Sequence, residues 1–189
     1  MSENPYQAPV PPPVPANQYA GEPLVFRSTR EERNRGPEGL GGWLILPMIG
    51  LALTVLKILG YFGNQVAPMV ADGTYDLLTT PGSELYHPLW LPLLLLEGGG
   101  NGVLLVMALV AICLYFMRSR WFPRMHITFM LTNAVLLLVL FFFGAKIPAL
   151  MEAHDVQAVS DMTRGLVGAA IWVPYMLTSK RVRNTFRPR

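Results

Sequence analysis

Glu97 and Asn101 stand four residues apart inside a long apolar stretch, where one helical turn places both on the same face. Beside them lies a run of three glycines, Gly98 to Gly100. Lys57, Asn133 and Arg164 are the other polar residues set into apolar surroundings. A charge held at membrane depth costs about 2.5 to 3.5 kcal/mol on insertion scales, so such residues either neutralise one another or line a path for an ion, proton or small solute. Lys57 is 14 residues beyond Trp43, which lifts its Cα by roughly 21 Å at 1.5 Å per residue. An ion pair between Lys57 and Glu97 is therefore within reach, with Arg164 as a competing partner. Asn133, Thr132 and Thr54 read as hydrogen-bond donors between helices.

Other catalytic constellations do not emerge. His87, His126 and His154 share no helical face and read as surface residues, and no metal-ligand set or nucleophile with a nearby base is visible. The glycine triplet lacks the Lys-Ser/Thr that follows a phosphate-binding loop. The expectation is a protein that is not an enzyme, with no cofactor and no metal. The lone Cys113 excludes an internal disulfide framework and reads as a packing residue.

These residues need helices that cross a bilayer to position them. Of the 189 residues 52% are hydrophobic and 14% charged, too little polar surface for a soluble domain. Four stretches, 43–66, 89–117, 125–147 and 162–179, approach the 20 residues that span about 30 Å of hydrocarbon. The sequence thus predicts an all-α integral membrane four-helix bundle over 41–180, flanked by a disordered Pro-rich tail over 1–40 and a basic tail over 181–189. The second stretch is too long for one perpendicular crossing and is interrupted by the glycines, so it either tilts strongly or lays 89–96 along the interface. The turn Arg120-Trp121-Phe122-Pro123 makes spans two and three antiparallel neighbours. Pro174 predicts a local kink in the fourth.

Charge sets the expected orientation. Arg27, Arg30, Arg33, Arg35, Arg118, Arg120, Arg124, Lys180, Arg181, Arg183, Arg187 and Arg189 fall in alternate connections and are twelve of the fifteen basic residues. The positive-inside rule puts those connections and both termini in the cytoplasm of a cell with an inner membrane. Trp43, Trp121, Trp172 and Tyr175 sit where interfacial anchors belong. Lys180, Arg181 and Arg183 form a basic membrane-surface tail that suits anionic headgroups, and a sequence pI near 9.2 reflects that topology rather than nucleic acid. Other expected partners are a membrane or cytoplasmic protein, for which Tyr6 or the prolines of the leader offer a docking segment, and further copies of the chain.

The segments Gly41-Gly42-Trp43-Leu44-Ile45-Leu46-Pro47, Glu97-x-x-x-Asn101, Ile171-Trp172-Val173-Pro174-Tyr175, Ser179-Lys180-Arg181-Val182 and Thr185-Phe186, with the Arg and Pro between spans two and three, resemble the bacterial membrane-protein family catalogued as domain of unknown function 2569. The resemblance covers about 40–186. It implies a small four-span inner-membrane protein without an assigned activity. Two functional classes remain: an accessory or interaction protein, and a small oligomeric transporter or channel-like component using Glu97, Asn101 and Lys57.

Overall fold

Glycine and proline set where the first helix begins and how it bends. Gly42 adopts φ +63°, a left-handed conformation that costs a residue with a Cβ roughly 1–2 kcal/mol, and a single 3-10 turn, Gly42–Leu44, then feeds helix α1, Ile45–Tyr61. Pro47 falls in the first turn, where its missing N–H has no helical partner to lose. In the computed structural model, which describes residues 39–151 and 156–186, the helix does not stop at Val66. It passes through a π turn, Phe62–Val66, in which the Ala67 amide donates to the carbonyl of Phe62, and continues as α2, Ala67–Ala71. The widened turn immediately precedes Pro68, whose ring would meet the carbonyl four residues back in a regular helix. Asp72 and Gly73 (φ +77°) then end the rod, and the Asp72 carboxylate accepts from the Thr74 amide at 3.0 Å to open α3, Thr74–Thr79. Those hydrogen bonds from Thr74 hold the Asp72 carboxyl below its ordinary value.

Helix α4, Trp90–Phe116, is continuous, so Gly98 to Gly100 do not interrupt it and 89–96 are not a separate interfacial segment. Its 27 residues extend roughly 40 Å, longer than the hydrocarbon is thick. The helix closes on Arg118 in the left-handed region (φ +50°), with the Ser119 amide reaching the Leu114 carbonyl at 3.0 Å. Ser119 also starts the next helix, since its carbonyl accepts from Phe122 and its hydroxyl from Trp121. Helix α5, Phe122–Gly144, is followed by α6, Pro148–Met151, and α7, Val156–Thr178, which carries Pro174 in its interior. Ser179 separates α7 from α8, Lys180–Thr185, and its hydroxyl accepts from the Val182 amide at 3.4 Å as an N-cap.

Among the described residues three helices are long and apolar enough to cross a membrane, Gly42–Ala71, Trp90–Phe116 and Phe122–Gly144. They start or end up to five residues away from the expected spans; Pro68 and Pro123, each in a first turn, are tolerated there and do not end the helix. Helix α7 is long enough but less apolar, with Asp161, Arg164 and Pro174 among its residues, so three of the four expected spans are both this long and this apolar. The expected leader over residues 1–38, including Tyr6 and Arg27 to Arg35, lies outside the described residues, as do His154, Arg187 and Arg189.

The helices pack in the sequence α1, α4, α5, α7, with α4 between α1 and α5, and α5 between α4 and α7. Spans two and three are therefore neighbours, as their short connection requires. Buried stripes repeat at seven residues: Leu44 in the entering 3-10 turn with Leu51 and Ile58 on α1; Leu104, Ala111 and, offset by half the repeat, Ala108 and Tyr115 on α4; Phe122 and Phe129 on α5. Small residues set the helix separations. A Cβ on Gly100 would lie 2.7 Å from both terminal carbons of Leu136, and one on Gly165 would lie 2.6 Å from a terminal carbon of Leu137. Gly98 and Gly99 have nothing within 4 Å of that position. The triplet thus divides by sign. Gly98→Ala and Gly99→Ala should each raise the thermal midpoint in detergent, by up to about 1 kcal/mol of helix propensity, whereas Gly100→Ala should lower it by forcing Leu136 aside at a cost of about 1–3 kcal/mol.

Candidate functional site

The bundle has two chemically different ends. One, here called basal, gathers residues 39–44, the α4–α5 turn and α8; the distal end carries α2, α3 and the start of α7. The basal end is built around rings. Tyr115 and Phe122 meet edge to face at 5.2 Å, Phe186 lies 4.7 Å from Phe122, and His126 follows at 5.6 Å from Phe122. Phe186 and Val182 are one turn apart on α8, 5% and 1% exposed, so the expected basic tail is in part an amphipathic helix docked on the core. Lys180 and Arg183 remain on its outer face.

Hydrogen bonds then tie the start of the described chain to its end. The Gly39 amide donates to the Thr185 hydroxyl at 3.1 Å, and the Gly39 carbonyl accepts from the same hydroxyl at 3.3 Å and from Arg181 Nε at 3.5 Å. The Tyr115 hydroxyl donates to the Leu40 carbonyl at 2.8 Å. Arg181 lies so close over Gly42 that a Cβ there would sit 2.5 Å from Nη1. The opening glycines and the closing Ser-Lys-Arg-Val segment, 137 positions apart from Gly42 to Ser179, thus form one clasp. Spacing along the sequence could not reveal this, but the Ser179 cap and the Val182/Phe186 pair do predict a short amphipathic helix.

His126 corrects the surface reading. It is 2% exposed, and neither ring nitrogen has a hydrogen-bond partner among the described residues. Its position seven residues before Asn133 and four after Phe122 places it on the buried stripe of α5, a periodicity legible in the sequence. Trp121, half exposed, lies beneath two guanidinium groups, Arg124 at 5.0 Å and Arg120 at 5.8 Å from its ring centre. Trp43 is 70% exposed, and Trp172 meets Tyr175 edge to face at 5.6 Å. Cys113, expected to pack, is exposed on α4.

The polar residues within the bundle pair differently from the sequence expectation. Lys57 Nζ donates to Asp161 at 2.9 Å, joining α1 to α7, and Arg164 stands 4.0 Å from the other oxygen of the same carboxylate. Asp161 precedes the expected fourth span, 162–179, but its place inside α7, one turn before Gly165, lets it reach Lys57. Glu97 is half-buried and, among the described residues, has neither an ion-pair nor a hydrogen-bond partner. Asn101 is half-buried, one turn from Glu97, and the Asn133 side-chain nitrogen lies 3.6 Å from the Cβ position of Gly165. Thr54 does not bridge helices, since its hydroxyl donates at 2.8 Å to Gly50 in its own helix.

The sequence model of the family described as protein of unknown function, DUF2569, matches residues 37–187, and the chain belongs to that family. Neither a curated protein nor a solved structure matched the chain. The match includes both halves of the clasp and every polar residue described above.

Two outcomes follow from this geometry. Lys57→Met should cost about 1 kcal/mol or less of stability in the native background and in Glu97→Gln, but nothing in Asp161→Asn, when each background is compared with and without it by thermal unfolding. His126→Leu, close in volume and free of orphaned nitrogens, should leave stability unchanged or raise it by up to about 1–3 kcal/mol.

Proposed function

We propose that this member of the family is a non-enzymatic accessory protein of a bacterial inner membrane, with four spans, both termini cytoplasmic and its basal end as the working surface. The observation that carries the reading is charge segregation on a rigid surface. Among the described residues, Arg118, Arg120, Arg124, Lys180, Arg181 and Arg183 lie at the basal end, while Asp72, Asp76, Glu84, Glu97 and Asp161 all lie in the distal half. Six cations without a described carboxylate beside them suit a cytoplasmic leaflet, where anionic headgroups supply the counter-charge at roughly 1 kcal/mol per basic residue near the surface. The clasp supports a contact role further, because it fixes α8 and residues 39–44 on one face. Helix α7 completes the fourth span in this reading. Its Asp161 and Arg164 lie near the distal boundary, and Asp161 is neutralised by Lys57.

A second reading, a small oligomeric transporter or channel-like component, is favoured by one observation. Glu97 is a carboxyl at bilayer depth that no described residue pairs, and such a group marks an ion or proton path by default.

The test is purification from native membranes in mild detergent, comparing the full chain with the variant Arg120→Gln/Arg124→Gln/Lys180→Gln/Arg183→Gln. The accessory reading expects a stoichiometric protein partner with the full chain and at least about tenfold less of it with the variant, a loss of about 1.4 kcal/mol or more. Recovery of the chain alone as a defined oligomer from both would contradict it and favour the second reading.

A further inference from the structure

We propose that Arg120, Trp121 and Arg124, at the turn between α4 and α5, bind the phosphodiester headgroup of one anionic phospholipid. The site deepens the accessory reading above and rests on its placement of the basal end at the cytoplasmic leaflet. It assigns one lipid to one place, where that reading asks only for headgroups in general.

A single ring gathers the charge. The Arg124 guanidinium lies over Trp121 at 5.0 Å from the ring centre and that of Arg120 at 5.8 Å, so the two are no farther apart than those distances together. Attraction to a ring face spends no N–H donor, and neither side chain has a hydrogen bond or an ion pair with a described residue. Their donors stay available. Helix α5 opens at Trp121 without a side-chain cap, which adds the positive end of its dipole to the same spot. No nearby carboxylate along the chain offsets this charge, since the sequence has neither Asp nor Glu between Glu97 and Glu152, nor any after Asp161. Two guanidiniums held this close repel each other, and an anion shared by them relieves that repulsion.

Exposure places this spot at the head of a lipid-facing stripe. Along α5, the residues Trp121, Arg124, Thr128, Leu131, Val135 and Phe142 are exposed at steps of three, four or seven, so they share one outward face. The cation and its ring come first and the apolar members follow. A phospholipid has the same order, with charge at the leaflet surface and acyl chains below it. Phe116 and Met117, exposed where α4 runs into the turn, widen the apolar shelf. An acidic protein segment would match the charge but not the apolar stripe beneath, so the occupant is a lipid. Lys180 and Arg183, exposed on α8, have no such ring among the described residues and provide the comparison.

The test titrates the full-length protein in mild detergent with phosphatidylglycerol, with phosphatidylcholine of the same acyl chains and with glycerol phosphate, and reads bound lipid by native mass spectrometry. The site predicts a first phosphatidylglycerol held at least about tenfold more tightly than phosphatidylcholine and not displaced by equal glycerol phosphate. Arg120→Gln/Arg124→Gln should weaken that first binding by about tenfold or more, whereas Lys180→Gln/Arg183→Gln should leave it within about twofold. Arg120→Lys/Arg124→Lys keeps the charge but loses the planar fork, and should still weaken it about threefold. Equal weakening by the two Gln pairs, equal affinity for the two lipids, or displacement by glycerol phosphate overturns the proposal. The comparison of ligands uses the native chain, so it decides even where a variant fails to fold. Loss of a protein partner in Arg120→Gln/Arg124→Gln with lipid affinity unchanged gives the arginines to a protein surface and also overturns it. A retained lipid without any protein partner keeps the site and removes the accessory reading.

Discussion

The docking of Val182 and Phe186 on Tyr115 and Phe122 is the contact on which the basal half of the bundle depends. Phe186 and Phe122 are each at least 95% buried, and truncating a buried phenylalanine to alanine costs about 3–5 kcal/mol in a typical core. That burial holds α8 in place, and α8 in turn supplies the Thr185 and Arg181 side chains that complete the backbone of Gly39. Tyr115 contributes to both layers, its ring to the cluster and its hydroxyl to the Leu40 carbonyl. The positive φ of Gly42 and the crowding of Arg181 over it are consequences of that arrangement.

A second constraint runs through the remainder of the molecule. Polar groups held away from water must find partners within the protein, and most of those in the helices do so by local means. Thr54, Thr128, Thr163 and Thr178 each donate to the carbonyl four residues back, and Lys57 finds Asp161 across two helices. His126 and Glu97 do not follow this rule among the described residues. They fall on different halves, His126 inside the sealed aromatic end and Glu97 in the polar layer above the core. The first burdens stability without an evident compensating bond; the second retains a reachable ionisable group. That contrast is why Glu97, rather than His126, carries the second functional reading.

Sequence patterns conveyed the helical class, the neighbouring of spans two and three and the polarity of the ends, because hydrophobic length and charge placement are local properties. They did not convey helix bounds near proline. Pro68 and Pro123 lie in helical first turns or beyond a π turn, so the helices reach past Val66 and begin before Met125. Glycine was equally ambiguous: Gly98 to Gly100 read as an interruption, yet only Gly100 meets a neighbour and none breaks α4. Partner choice was illegible for a different reason. Glu97 and Asp161 are both within a side chain's reach of Lys57 by depth, and only the packing order α1, α4, α5, α7 and the rotation of each helix decide between them. The family resemblance placed the opening and closing motifs on the chain, but their union in one clasp is a tertiary fact.

The most direct test of this account is hydrogen exchange by mass spectrometry on the full-length protein in nanodiscs, following peptides that cover 39–46 and 180–186 in the native chain and in Phe186→Ala. If the two chain segments are one cooperative clasp, both are protected in the native protein and both lose protection together in Phe186→Ala while α5 keeps its own. Free exchange of 180–186 in the native protein, or its loss of protection in the variant with 39–46 unchanged, would contradict the account.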